Sequence, residues 1–189
     1  MKNKIIAIVL LIGAVLACIC CNRSTTPKPR GYFRINFPEK TYKQYNGECP
    51  FKFEIPEYSF LIKEKEDCWF DIYFPQYKAT VYMTYLQVNN DLDTLLNDAH
   101  DFAYKHTIKA DAIEENIFEK DSARVFGCLY NIKGNVASQM QFYLTDSTSN
   151  FIRGSLYFDA HPNKDSLAPV VDFIRDDIEH FMESFEWKQ

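Results

Sequence analysis

Glycine is scarce in this sequence, with six residues in 189, and the motifs that carry enzyme chemistry are missing. The chain has no Gly-rich phosphate loop, no dinucleotide-binding turn, no Gly-x-Ser-x-Gly elbow and no His-Glu-x-x-His motif. It also has no apolar run of the roughly 20 residues that a membrane-spanning helix needs. We therefore expect no enzyme, no cofactor and no metal site.

The amino terminus has the layout of a secretory signal. Lys2 and Lys4 precede an apolar run from Ile5 to Ala17, which ends on a small residue. The end of this run together with the next residue, Val15-Leu16-Ala17-Cys18, looks like a bacterial lipobox, in which the chain is cut before a cysteine whose thiol carries diacylglycerol. The leader therefore predicts a lipid-anchored envelope protein.

Three cysteines compete for the lipid. The cut requires a small preceding residue, and Ala17 provides it for Cys18, whereas Cys20 follows Ile19 and Cys21 follows Cys20. We predict lipidation of Cys18, with Cys21 as the next alternative. A metal site is not expected, because three neighbouring thiols without a histidine or a second cysteine pair lack zinc spacing.

The composition indicates one exported domain. We expect a signal peptide at 1–17, a lipidated flexible tether at 18–30 with two prolines, and a single globular domain at 31–189. The chain is 47% hydrophobic and 16% aromatic, so it can bury a substantial core. Disorder of the domain is therefore not expected.

Charge is unevenly placed. Six cations stand against Glu39 near the anchor: Arg23, Lys28, Arg30, Arg34, Lys40 and Lys43. Such a stretch could be attracted to anionic lipid headgroups, with a binding energy of up to about 1 kcal/mol per basic residue. The alternative is a tether that is merely soluble. The rest of the mature chain is acidic, which argues against a nucleic-acid partner.

The cysteines beyond the leader belong to an exported domain, and export places them in an oxidising compartment where disulfides form. Cys49 and Cys68 each precede an apolar strand pattern, and we predict a disulfide between them, which would close a loop of about 20 residues and be worth about 3 kcal/mol. A short strand near 59–63 could lie between the strands that follow Cys49 and Cys68. Those two strands would then be two spacings apart, about 9.5 Å in total, which exceeds the reach of a disulfide unless the loops fold inward. Cys128 lies in an apolar run and is predicted to be a buried free thiol.

Strand patterns dominate the domain. The alternating "FKFEI" at 51–55 predicts a half-buried strand, and "WFDIYF" and "ATVYMTYLQV" follow. Short turns then separate four further patterns, which indicates an antiparallel meander. These four are Ile113–Glu119, Arg124–Lys133, Ala137–Thr145 and Asn150–Asp159.

Two amphipathic helices complete the pattern. The first follows a cap at Asn89-Asn90-Asp91 and carries its apolar face to Ala103. The second is predicted to be capped by Ser166, with Pro169 in its first turn. The fold class is therefore α+β: an antiparallel sheet of about six or seven strands covered by two helices.

Three long strings, "PKPRGYFRINFPEK", "YKHTIKADAI" and "DSLAPVVDFIRDDIEHFMESFEWK", resemble the gliding motility lipoprotein GldD family of Bacteroidetes-type bacteria. The resemblance covers the mature chain. It implies an envelope lipoprotein required for gliding, through machinery that overlaps the type IX secretion system, with no catalytic residues to carry over. The order of elements is also similar to the PsbP/Mog1-like fold, by analogy only.

Two segments are candidate partner contacts. Lys105, His106, Lys109 and Asp111 crowd the end of the first helix, where His106 is expected to be partly buried in the final turn. The last helix presents Asp172, Asp176, Glu179 and Glu183 on its outer side. Solvated surface is the alternative for both segments, and His180 is predicted to form a surface ion pair with Asp176 and Asp177.

Three function classes remain open. The first is a non-enzymatic accessory or assembly component of the gliding and secretion machinery, with protein partners and no small-molecule substrate. The second is a periplasmic small-ligand-binding domain, and the third an envelope hydrolase. No acidic cluster follows Cys18, unlike surface-directed lipoproteins of this group, so we expect an outer-membrane anchor facing the periplasm, with inner-membrane anchoring as the alternative.

Overall fold

The structure, a computed structural model, describes residues 35–188. The predictions for the signal peptide, Cys18 and the tether lie outside these residues. The described strands are β1 (Tyr42–Tyr45), β2 (Phe51–Pro56), β3 (Phe60–Lys63), β4 (Phe70–Phe74), β5 (Ala79–Gln87), β6 (Ala110–Lys120), β7 (Val125–Gly134), β8 (Ser138–Thr145), β9 (Asn150–Phe158) and β10 (Glu186–Trp187). The described helices are α1 (Leu92–Tyr104) and α2 (Lys164–Ser184).

A seven-stranded antiparallel sheet forms the centre of the domain, in the order β3-β4-β5-β9-β8-β7-β6. Its second half is the predicted meander from β6 to β9, because each of these strands pairs with the next one along the chain. β9 then pairs with β5 over nine residues and joins the two halves. The α+β fold class is confirmed, and the PsbP/Mog1 likeness stays a prediction.

The expectation of one sheet is wrong for β2. This strand belongs to a separate three-stranded sheet with β1 and β10, neither of which the patterns indicated. Both are short, with four and two residues, so they offer almost no alternation to recognise. The disulfide between Cys49 and Cys68, whose Cα atoms lie 5.6 Å apart, therefore links the approach to β2 in the small sheet with the approach to β4 in the large one.

Helix α2 begins before the predicted cap. The cap is Asn163, whose side chain accepts a hydrogen bond from the Ser166 backbone N–H, so Ser166 is the capped residue rather than the cap. Pro169 accordingly lies in the second turn and not in the first. The apolar stripe of α2, with Ile174, Ile178 and Phe181 at its centre, is buried as its spacing predicts.

The two helices lie on different faces of the large sheet. On β5, Val81 and Met83 belong to the main core beneath α2, whereas the alternate residues Tyr82 and Thr84 point to the side of α1. A smaller apolar cluster packs beneath α1, around Ala103. The face beneath α2 therefore holds the main core, whereas the other face is covered only where α1 lies.

Candidate functional site: the open sheet face and the cleft beside helix α1

The part of the second face that α1 leaves uncovered carries exposed aromatic and apolar side chains, with Asp71 between two of them. Residues directly opposite in an antiparallel sheet share a face, and the register aligns Ile62 with Asp71 and, through it, with Tyr82. It aligns Phe60 in the same way, across Tyr73 and Thr80, with Tyr157. Phe60 is 59% exposed, Tyr82 50% and Ile62 44%. We call this surface, formed by Phe60, Ile62, Tyr82 and Tyr157, the open face.

A cleft of about 430 Å³ continues the open face beneath α1. Tyr82 and Tyr157 belong to both, and their rings meet edge to face with centroids 5.8 Å apart. Phe102 of α1 forms the opposite wall. Pockets for small ligands usually measure roughly 300–1,000 Å³, so the cleft has the size of a small binding site. We call it the α1 cleft.

Positive charge lines the α1 cleft. The Cζ atom of Arg153 lies 4.3 Å from the centre of the Phe102 ring, and the Nζ atom of Lys105 lies at the same distance. Burial lowers the pKa of Arg153, although Asp98 opposes this shift. Burial also lowers the pKa of His106, a third lining residue. Aromatic rings and cations together make the cleft suited to an anionic group on an apolar body.

The structure divides the first predicted contact segment. Lys105 and His106 line the α1 cleft, with His106 in the turn after α1 rather than in its final turn as expected. Lys109 is exposed, and Asp111 pairs with Lys164 at 2.6 Å. Of the four residues of the segment, the first two therefore line the α1 cleft and the last two do not.

The acidic residues of α2 lie away from this cleft and have their own neighbours. Asp172 pairs with Arg175 at 2.8 Å, and Asp176 lies 3.6 Å from Lys40. A shallow groove beside β6 is lined by the other two predicted acids of α2, Glu179 and Glu183. Burial raises the pKa of Glu179. The two predicted contact segments therefore do not form one site.

The predicted surface ion pair of His180 is wrong. Its Nε2 atom lies 2.7 Å from Oε2 of Glu54 on β2, and its ring stacks on Tyr42 with centroids 3.6 Å apart. Asp177, one of the two acids expected to pair with it, is only 2% exposed and receives donors from other elements. Helical spacing identified nearby acids, but residues from the small sheet supply the actual contacts.

Arg153, Tyr82 and Tyr157 were not among the predicted site residues. The available indication was Arg153 itself, the single cation in β9. Alternation places it on the same side as Phe151 and Ser155, but it does not reveal that α1 leaves that side partly open. In the sequence, an exposed aromatic residue on a strand gives the same alternating pattern as a buried one.

Three further properties of the described residues concern the kind of site. Within residues 35–188, no three or more His, Cys, Asp and Glu side chains are grouped so as to hold a metal ion. None of the helices in the same residues has both the length and the apolar character to cross a membrane. The thiol of Cys128 is buried and unpaired, and burial, followed by Glu115, raises its pKa to about 11.

Comparison with known proteins identifies the family of the chain. A family model described as gliding motility lipoprotein GldD matches residues 22–187, which is well over half of the chain. No curated protein matches the chain significantly. The matched range includes every element that builds the open face and the α1 cleft.

Proposed function

The chain belongs to the gliding motility lipoprotein GldD family, and from this premise we propose that it is a non-enzymatic accessory or assembly subunit of the gliding and type IX secretion machinery. The family description names a motility lipoprotein rather than an enzyme. In this role the protein acts by binding another protein subunit of the same machinery. It requires no cofactor beyond its covalent lipid.

The open face is the observation that carries this role. Its three most exposed side chains are Phe60 and Ile62 on β3 and Tyr82 on β5, so all three lie within the three strands at one edge of the large sheet. Exposed apolar groups that are contiguous rather than scattered favour a protein–protein contact. Tyrosine is also among the residues that contribute most at such contacts, because it buries a large ring and keeps a polar end. The partner surface that fits is apolar at its centre.

The proposed anchor sets which partners can be reached. Lipid on Cys18 and a tether of roughly 12 residues would hold the domain within about 40 Å of its membrane. We place that anchor in the outer membrane with the domain in the periplasm, so the partner is a machinery subunit exposed on the same side. The basic stretch near the anchor would then lie close to the headgroups.

Photo-crosslinking in gliding cells tests the partner surface. Benzoylphenylalanine at Tyr82 or Ile62 should capture one machinery subunit, identified by mass spectrometry, and the same reagent at Thr148, exposed in the β8–β9 loop, should not. Cells with Tyr82→Glu should not glide although the protein stays folded and abundant, whereas cells with Thr148→Glu should glide normally. Capture through Asp172 or Glu183 instead would assign the contact to the acidic side of α2 and overturn the open face as the partner surface.

A small-ligand-binding domain is the second candidate, favoured by one observation. The α1 cleft combines aromatic walls with the convergent cations Lys105 and Arg153, which is the arrangement that a ligand pocket requires.

A further inference from the structure

The α1 cleft concentrates positive charge in an acidic protein. Three of its lining residues, Lys105, His106 and Arg153, can carry a positive charge, and its described lining includes no Asp or Glu. The whole chain has a formal net charge of −5 at pH 7. A concave surface with one sign of charge concentrates ligands of the opposite sign. The cleft is therefore suited to an anion.

Arg153 differs from the other arginines in the described part of the chain. Arg124 donates to the carbonyl oxygen of Asp146, and Arg175 pairs with Asp172. Within residues 35–188, the guanidinium of Arg153 has no acceptor within hydrogen-bond reach, and its contact is with the face of Phe102. A guanidinium carries its N–H donors in a fixed fork that matches a carboxylate in two parallel bonds. Arg153 thus offers an unused site for such a group.

The walls of the cleft define what the anionic group is attached to. The ring of Phe102 lies against the guanidinium, Tyr82 and Tyr157 also line the cleft, and all three residues are at least 37% exposed. A ligand body placed on these rings would remove apolar surface of both the ligand and the rings from water, which favours binding. A free inorganic anion would gain nothing from them.

We propose that the α1 cleft binds a small carboxylate with an apolar body, which Arg153 holds by paired hydrogen bonds. The apolar body packs on Tyr82, Phe102 and Tyr157, and Lys105 adds a second cation beside Phe102. This site does not require the partner role proposed above, because it takes a free small molecule. It lies next to the open face, so a bound ligand would share Tyr82 with a protein partner.

Saturation-transfer NMR on the full chain, purified from the envelope in detergent, tests the site with two matched probes. 3-Phenylpropionate carries the carboxylate, and 3-phenylpropionamide has the same body without the charge. We expect saturable binding of the acid and at least about tenfold weaker binding of the amide, which corresponds to about 1.4 kcal/mol. Inorganic phosphate should compete weakly if at all. Equal binding of acid and amide, or no saturable signal from the acid, would overturn the proposal.

Matched variants locate the binding. Arg153→Gln should weaken binding of 3-phenylpropionate by about tenfold, whereas Arg124→Gln, an equivalent change outside the cleft, should leave it unchanged. Lys105→Gln provides a second variant at an exposed position, and it should weaken binding of the acid but not binding of the amide. If Arg153→Gln fails to fold, Lys105→Gln and the acid–amide pair on the unaltered chain still decide the outcome. Unchanged affinity in folded Arg153→Gln would rule out the assigned role.

Discussion

The Nζ atom of Lys40 lies 2.8 Å from Oδ1 of Asp177, although 137 residues separate them in the chain. Asp177 is 2% exposed, and its carboxylate also accepts hydrogen bonds from the hydroxyls of Tyr42 and Tyr58. Lys40 donates as well to the carbonyl oxygen of Phe173. A buried carboxylate is tolerated only when it is paired and hydrogen-bonded, and here the donors come from the segment before β1, from β1 and from the β2–β3 turn. The cluster fixes the segment before β1 to the middle of α2.

Lys40→Met should therefore destabilise the domain strongly. The substitution keeps most of the apolar stem but leaves Asp177 without its cation. Breaking a buried pair in this way costs about 3–5 kcal/mol, and because the Lys40 side chain is 26% exposed we expect the lower end, about 3 kcal/mol. Chemical denaturation of the two proteins measures the loss. Lys65→Met, at an exposed lysine, should change the free energy of unfolding by less than about 0.5 kcal/mol. Equal losses in the two variants would mean that Asp177 does not depend on Lys40.

The β8–β9 loop should make stability depend on acid pH through Asp146. Burial opposes its charge, but N–H donors of Ser149, Asn150 and Thr148 outweigh burial and lower the pKa to about 2. Because the folded pKa lies below the unfolded one, the stabilisation is complete above about pH 4 and disappears as pH falls towards 2.

Asp146→Asn should remove this contribution. After discounting for solvent screening we expect a loss of about 1–2 kcal/mol at neutral pH, shrinking to nothing near pH 2. Urea denaturation at a series of pH values measures it. Asp159→Asn, at an exposed aspartate, serves as the control, and its free energy of unfolding should change with pH as that of the unaltered chain does. A difference between Asp146→Asn and the unaltered chain that stays constant with pH would exclude the carboxylate as its source.

Reduction of the envelope-extracted protein should expose two additional thiols, traceable by mass spectrometry to Cys49 and Cys68. The pair closes a loop with a sequence separation of 19, so its removal in a Cys49→Ala/Cys68→Ala variant should cost about 2–4 kcal/mol and several degrees of melting temperature. Cys128→Ala, which removes a thiol outside the bridge, gives the comparison for thiol counting. Alkylation of both cysteines without reductant would remove the bridge.

Cys18→Ala should accumulate as an uncut precursor and should not incorporate labelled palmitate. The reason is that the cut requires a lipid-modified cysteine after a small residue, which Ala17-Cys18 provides. Cys21→Ala is the matched control and should mature normally. If Cys18→Ala is processed as usual, the lipid is attached to Cys20 or Cys21.

Protease added to intact cells should leave the domain whole, and permeabilising the outer membrane should allow its digestion. This expectation follows from the absence of acids directly after Cys18, where Ile19, Cys20, Cys21, Asn22 and Arg23 stand. A periplasmic soluble protein and a surface lipoprotein provide the two reference behaviours. Digestion on intact cells would place the domain outside and exclude periplasmic partners.

Much of the fold is determined locally. The meander from β6 to β9 follows from alternation and turn residues, since each strand pairs with its chain neighbour and needs no distant information. The apolar stripe of α2 follows equally from helical spacing. Long strings such as "DSLAPVVDFIRDDIEHFMESFEWK" likewise identified the family, because their specificity does not depend on tertiary contacts.

What covers each face was decided only by tertiary structure. Alternation puts Tyr82 and Arg153 on one side of their strands, but the extent of α1 determines that this side is partly open. Trp187 closes a second sheet by pairing with Phe51 from the other end of the domain. Asp177 has the same helical spacing as a surface acid, and its burial depends on Lys40, Tyr42 and Tyr58, which only the folded chain brings to it. Local patterns fix the direction of a side chain, whereas long-range packing fixes its environment.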